Sequence, residues 1–202
     1  MSSRRATHEE RTLMLASKQS LLRARDLKVA AIPSVMLTRL TAAGKLERIG
    51  RGLYRLPEAS ISEYDSLQIV ARKNPEAVLC LLTALQFHGL TTQLPRQVWI
   101  MMPRGSHAPR LGSPPIRMIQ VSAKLLSTSV EVHQRDGVAL KVYSATRTVV
   151  DCFKRRRVGL DVALEALRDA LAQKKTTMYA LWRMATTCRL GNVMRPYLEA
   201  VA

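Results

Sequence analysis

The sequence predicts an α+β fold: an N-terminal winged helix-turn-helix followed by a small, mostly antiparallel sheet packed with helices. Three observations carry the prediction. Residues 24–57 hold two short helical patterns and then a glycine-turned hairpin. The segments 97–102 (QVWIMM) and 116–121 (IRMIQV) are short, apolar, β-prone runs. The last third returns to helical spacing, with Leu160, Leu164, Leu167 and Leu171 on one stripe.

Residues 1–7 are a polar, basic start, expected to be disordered, with Arg4 and Arg5 as the alternative of an arm on phosphates. A helix is expected over 8–22, capped by Thr7 with Glu10 at capping-box spacing. Leu27, Ala30 and Ala31 give the next helix its apolar side. The Ile32-Pro33-Ser34 step then breaks the chain into a third helix. Leu37 and Leu40 point inward, and Gly44 stops that helix. Around Gly50-Arg51-Gly52, apolar and charged residues alternate as in a β-wing, with Tyr54 packing beneath it.

In such a layout the third helix enters the major groove of DNA. Ser34, Val35, Thr38 and Arg39 lie on its exposed N-terminal side, where hydroxyl, methyl and guanidinium groups can meet base edges. For Arg39 a phosphate contact or a surface role stands beside base readout. Arg23 and Arg25, at the entry of the second helix, can meet a phosphate, and Arg48, Arg51 and Arg55 on the wing are candidates for backbone or minor-groove contact.

Pro57 closes this first domain (1–57), and a second is expected over 63–202, after a short linker. A helix capped by Ser62 leads into it. Residues 76–88 are apolar on nearly every side and read as a buried core helix ended by Gly89, with His88 as a packed or capping histidine. A basic loop rich in Gly and Pro (103–110) separates the two β-prone segments. Asp136-Gly137 marks the turn of a hairpin. Ser144 caps a helix in which Arg147 and Asp151 pair at i,i+4, a structural bridge to the sheet. Lys154, Arg155, Arg156 and Arg157 follow, either as a solvated cluster at the helix end or as a binding patch. Amphipathic helices from 160 and from 176–177, the latter carrying Trp182, and a short one from Pro196 complete the chain.

The chain has 202 residues and a net charge of +17. The charge is spread: 1–57 hold 12 Lys and Arg against 4 Asp and Glu, and 58–202 hold 20 against 11. Both parts therefore suit a polyanion or an acidic partner. Cys80, Cys152 and Cys188 are widely spaced and read as buried thiols of a reducing compartment. The polar start carries no signal-peptide pattern, and no apolar run reaches membrane-span length; a cytoplasmic location is expected. No metal-ligand spacing, phosphate-binding glycine loop or nucleophile elbow appears, so no metal, cofactor or catalytic residue is expected. Asp161, Glu165 and Asp169 share a helical face, which their leucine neighbours make the solvent side.

The stretch IPSVMLTRLTAAGKLERIGRGLYRLP resembles the N-terminal domain of the AbiEi family. The resemblance lies in an Ile-x-x-x-x-Leu-x-Arg-Leu helix, a Gly-x-Leu turn and Arg-Gly-x-Tyr in the wing. Downstream, LLTALQFHGLT, QVWIMMPRG and Ala-Thr-Arg-Thr-Val-Val-Asp are similar to that family's second domain. The resemblance implies the antitoxin and autorepressor of a type IV toxin–antitoxin system, binding operator DNA and countering a nucleotidyltransferase-like toxin without a required stable complex. Arg147, Asp151 and the 154–157 cations are then the second-domain candidates for the antitoxin role. Two other readings stand beside it: a nucleic-acid-processing enzyme with a winged-helix targeting domain, and a ligand-sensing transcription factor with a pocket between the sheet and the 76–88 helix.

Overall fold

The computed structural model describes residues 6–19, 21–58, 63–108, 111, 113–154 and 158–201. Its elements begin α1 (His8–Lys18), β1 (Leu22–Arg23), α2 (Ala24–Val29), α3 (Val35–Ala42), β2 (Glu47–Gly50), β3 (Leu53–Arg55) and α4 (Asp65–Lys73). They continue with β4 (Val78–Leu79), α5 (Leu81–Phe87), β5 (Val98–Pro103), β6 (Ile116–Val121), α6 (Ala123–Ser127), β7 (Val130–Arg135) and β8 (Val138–Tyr143). Four helices end the chain: α7 (Ala145–Lys154), α8 (Leu160–Ala172), α9 (Met178–Thr187) and α10 (Gly191–Val201). The described residues form two compact units. The first runs to Pro75 and takes in Leu111, Ser113 and Gln134–Leu140; the rest form the second.

In the first unit the capping box at Thr7 is complete: the Glu10 amide donates to Thr7 Oγ1 at 3.2 Å, and the Thr7 amide donates to Glu10 Oε2 at 2.8 Å. The helix stops at Lys18, short of the expected Leu22. Leu22 and Arg23 instead pair with Tyr54 and Leu53, adding a strand to the wing in the order β1-β3-β2. Ala16, Leu22, Leu27, Ile32, Leu37, Leu40 and Leu46 make the core, and Tyr54 packs against it from the wing. Of the apolar face expected on α2, Leu27 is buried, Ala30 half-buried and Ala31 exposed. Ala31 holds the helix-turn-helix turn at φ +52°, a left-handed conformation that costs a residue with a Cβ roughly 1 kcal/mol.

The first compact unit continues past Pro57 to Pro75, because α4 is bound to the winged elements. Asp65 pairs with Arg55 at 3.1 Å, and Arg72 donates to Gln19 Oε1 at 2.7 Å. Gln68 Nε2 donates to Asp136 Oδ2 at 2.8 Å at the β7–β8 turn. That turn needs its glycine: at Gly137 (φ +73°) a Cβ would lie 2.8 Å from the Lys18 carbonyl oxygen. Ser62, the expected cap of α4, lies outside the described residues. Tyr64 precedes the helix and makes no side-chain cap bond.

The five-stranded sheet runs β6-β5-β4-β8-β7 and is mixed rather than mostly antiparallel. β4 and β5 are antiparallel, whereas β5 and β6, and β4 and β8, are parallel. The reason for β5 and β6 lies in their connection: residues 104–115 are long enough to return the chain in the same direction, which a tight turn cannot do. The single helix expected over 76–88 divides into β4 and α5. A short run that is apolar on all sides suits a central strand as well as a buried helix. α6 carries no fully buried residue and had no pattern to announce it. α8 buries Val162, Ala163, Ala166, Leu167 and Ala170, with Leu171 packed beside them, while Leu160 is half exposed; alanines share the inward face with the later part of the leucine stripe. α10 begins at Gly191, ahead of Pro196, and Met194 and Leu198 pin it to the core.

At the start of α7 the Arg147 amide donates to Ser144 Oγ at 3.3 Å, as a cap requires. Arg147 Nε meets Asp151 Oδ2 at 2.7 Å, with the two side chains 0% and 2% exposed. The guanidinium lies 5.1 Å from the Tyr143 ring centroid, which ties α7 to the end of β8. Burial works to lower the Arg147 pKa, and the Asp151 carboxylate outweighs it, so the net shift is upward. Tyr143, buried beside them, is pushed above the usual phenol range.

Asp151→Asn leaves the guanidinium buried without its counter-charge and should cost at least about 3 kcal/mol in urea unfolding, whereas an apolar pair replacing both residues should recover most of that loss. Ala31→Gly should raise stability by about 0.5–1 kcal/mol by the same measurement.

Candidate nucleic-acid interface

α3 is only eight residues long, and its orientation is set by Leu37 and Leu40, both buried. With those two inward, Val35, Thr38 and Arg39 fall on the opposite face, and all three are exposed. Ser34 precedes them in a helical backbone conformation (φ −63°, ψ −21°), so its hydroxyl makes no cap bond and is also exposed. Four side chains that differ in chemistry thus stand together at the helix start. Arg39 has no carboxylate partner among the described residues.

The wing pairs Glu47 with Arg55, Arg48 with Tyr54 and Gly50 with Leu53, the register slipping between Arg48 and Gly50. Such a bulge bends and twists its strand. Arg48 and Arg51 are exposed; Arg48 Nε reaches the Gly50 carbonyl at 3.4 Å. A third cation joins them, one that the sequence reading placed in the other domain. Lys73, at the end of α4, donates from Nζ to the Arg51 carbonyl. Its pKa lies below the ordinary lysine value, first through burial and then through repulsion by Arg51 and Arg48. Among the described residues no carboxylate is within ion-pair reach of any of the three. Three crowded, unneutralised cations form a site an anion would relieve. The signal for Lys73 in the sequence was only a basic last turn, which fits the helix dipole equally well.

Two expected surface arginines turn inward. Arg23 is 11% exposed; its backbone amide donates to Asp26 Oδ2 at 2.8 Å and its guanidinium to the Arg72 carbonyl. Arg55 is 18% exposed and clamped between Glu47 at 3.0 Å and Asp65 at 3.1 Å. Both are structural cations, because a carboxylate lies close enough to pull each off the surface. Around Asp26, burial raises the carboxyl pKa against Arg72 and Arg25, and burial lowers that of Arg72. Arg25 stays exposed, 3.9 Å from Asp26, and with Lys28, Ile32 and Ser34 it lines a recess of about 330 Å³ at the helix-turn-helix turn.

In the second unit, Arg147 and Asp151 are sealed in the core and cannot meet a surface partner. Lys154 is exposed, with Nζ 3.4 Å from the Cys188 carbonyl; Arg155, Arg156 and Arg157 lie outside the described residues, as do Arg4 and Arg5. A recess of about 350 Å³ is walled by Val78, Pro103, Leu126 and Val130, so it lies under α6 rather than against α5. Among the described residues no three of His, Cys, Asp and Glu gather as a metal site would require, and none of their helices is long and apolar enough to cross a membrane. Cys80, Cys152 and Cys188 are free and buried.

Comparison with known proteins agrees with the winged segment. Residues 10–57 match the family model described as "Transcriptional regulator, AbiEi antitoxin". The match bears out the AbiEi resemblance over this segment and supports an antitoxin-like, DNA-binding regulator. No curated protein matches the chain in sequence. In fold, the chain is similar to the crystal structure of the RV2827C protein from Mycobacterium tuberculosis, at a TM-score of 0.61 and 14% identity, over 99% of this chain and 82% of that one.

Arg55→Gln should destabilise the winged unit by about 1 kcal/mol. Asp65→Asn should cost a similar amount, and the double variant should fall short of the sum, as residues sharing one ion pair do. Denaturant unfolding of the three variants measures the coupling.

Proposed function

We infer that a chain whose residues 10–57 carry the AbiEi regulator pattern binds operator DNA through α3 and the wing and represses its own operon as an antitoxin. The single observation that carries this is the exposed set Ser34, Val35, Thr38 and Arg39 on α3 beside the unneutralised cations Arg48, Arg51 and Lys73. Base readout falls to α3: Arg39 suits guanine, Val35 the thymine methyl, and Ser34 and Thr38 either base or phosphate. Backbone attraction falls to Arg25, Arg48, Arg51 and Lys73; among the described residues only Arg25 has a carboxylate within ion-pair reach, Asp26 at 3.9 Å. The domains follow from this division: the winged unit, extended by α4, targets DNA, and the second unit carries the antitoxin role. The counterpart is a nucleotidyltransferase-like toxin in a type IV, AbiE-like arrangement, with no stable complex required. Phage defence and a cytoplasmic location belong to that reading. A regulator rather than an enzyme is the reading that the AbiEi pattern over residues 10–57 supports.

The test is binding to the duplex just upstream of the protein's own gene, against a scrambled duplex. Wild type should prefer the upstream duplex, and Arg39→Ala should lose about 1–3 kcal/mol of that preference. Equal affinity for both duplexes would reduce the interaction to phosphate attraction and remove the operator claim. Rescue of growth on co-expression with the neighbouring toxin gene tests the antitoxin half separately.

A further inference from the structure

The last two helices carry a surface that the operator reading does not use. α9 and α10 bury Leu181, Ala185, Met194 and Leu198 against the core. On the outside the chain displays two rings three residues apart, Tyr179 at 69% and Trp182 at 44% exposure. With Met178, Leu198, Arg195 and Glu199 they line a groove of about 510 Å³. The indole packs against Gly191, where a Cβ would sit at an ordinary contact distance of 3.6 Å from Cη2. The Arg183 guanidinium is 5.5 Å from the Tyr179 ring centroid.

The charge around the groove is one-sided. Residues 173–195 hold five Lys and Arg and no Asp or Glu. The acid on the groove wall, Glu199, is bound by Arg195 at 2.8 Å. This charge suits an anionic partner, and the rings narrow its chemistry. A duplex keeps its bases stacked inside and would present phosphates alone. An acidic peptide would meet the cations but leave the ring faces to aliphatic contact. A single strand supplies both halves, a phosphate at each nucleotide and a free π-face for each ring.

We propose that the Tyr179–Trp182 groove binds single-stranded nucleic acid, with bases stacked on the two rings and phosphates held by Arg183 and Arg189. The site is independent of operator binding.

The experiment uses the full chain with Arg39→Ala and Arg51→Ala in every sample, so that the wing contributes little. Tryptophan emission is followed while ribo- or deoxyribo-oligonucleotides of about 12 nucleotides, or a duplex of equal length, are added. The chain has two tryptophans, and the other, Trp99, is 5% exposed, so quenching reports on Trp182. Single strands should quench the emission. Anisotropy of labelled strands should show affinity falling about tenfold in Trp182→Ala, with Trp182→Phe keeping most of it. The salt dependence should be unchanged in Trp182→Ala and shallower in Arg183→Ala/Arg189→Ala. Binding by either sugar type supports the site, and comparing the two assigns its preference. The proposal is overturned if Trp182→Ala binds like its parent, or if the duplex is bound as tightly and loses as much. It is equally overturned if sedimentation shows a dimer that Trp182→Ala abolishes, since a second copy would then own the groove. Trp182 lies on the surface, and an unchanged melting temperature confirms that the variants are folded.

Discussion

Carboxylates are scarce in this protein, 15 against 32 Lys and Arg, and where they sit decides what each cation does. In the winged unit Asp26 and Asp65 are drawn inward and, with the exposed Glu47, hold Arg23, Arg55 and Arg72. Those pairs fasten β1, the wing and α4 into one unit. Among the described residues no carboxylate is within ion-pair reach of Arg39, Arg48, Arg51 or Lys73; the three arginines are exposed and Lys73 is half-buried. One allocation of charge thus produces both the rigidity of the unit and its attraction for an anion.

The second unit follows the same economy differently. Asp151 is spent deep in the core on Arg147, where an ion pair sets geometry more than it adds stability. The pair orients α7 against Tyr143, and α8, α9 and α10 assemble around that helix. Glu199 is spent on Arg195, which leaves the face of α9 free of negative charge. The polar groups of the core are structural, and the chemistry available to partners lies on the outer surfaces.

Much of the winged unit was legible because its signals are local. The capping box at Thr7, the Pro33 break, the Gly-Arg-Gly turn and the inward leucines each depend on neighbours in sequence. The features missed depend on neighbours in space. β1 exists because β3 offers Leu22 and Arg23 an edge, and residues 76–80 leave the helix because β5 and β8 flank them. For the same reason Arg23 and Arg55 could not be told from Arg48 and Arg51 on the chain alone. All four are basic residues at wing or helix ends, and only the placement of Asp26, Glu47 and Asp65 separates them. Lys73 escaped notice because its role depends on α4 folding back to the wing.

The salt dependence of duplex binding separates the paired cations from the free ones. Arg48→Ala, Arg51→Ala and Lys73→Ala should each lower the slope of log K against log salt by about one. Arg55→Gln, in contrast, should leave the slope unchanged while the unit loses stability. A slope lowered by Arg55→Gln as much as by Arg51→Ala, or unmoved by Lys73→Ala, would contradict this separation.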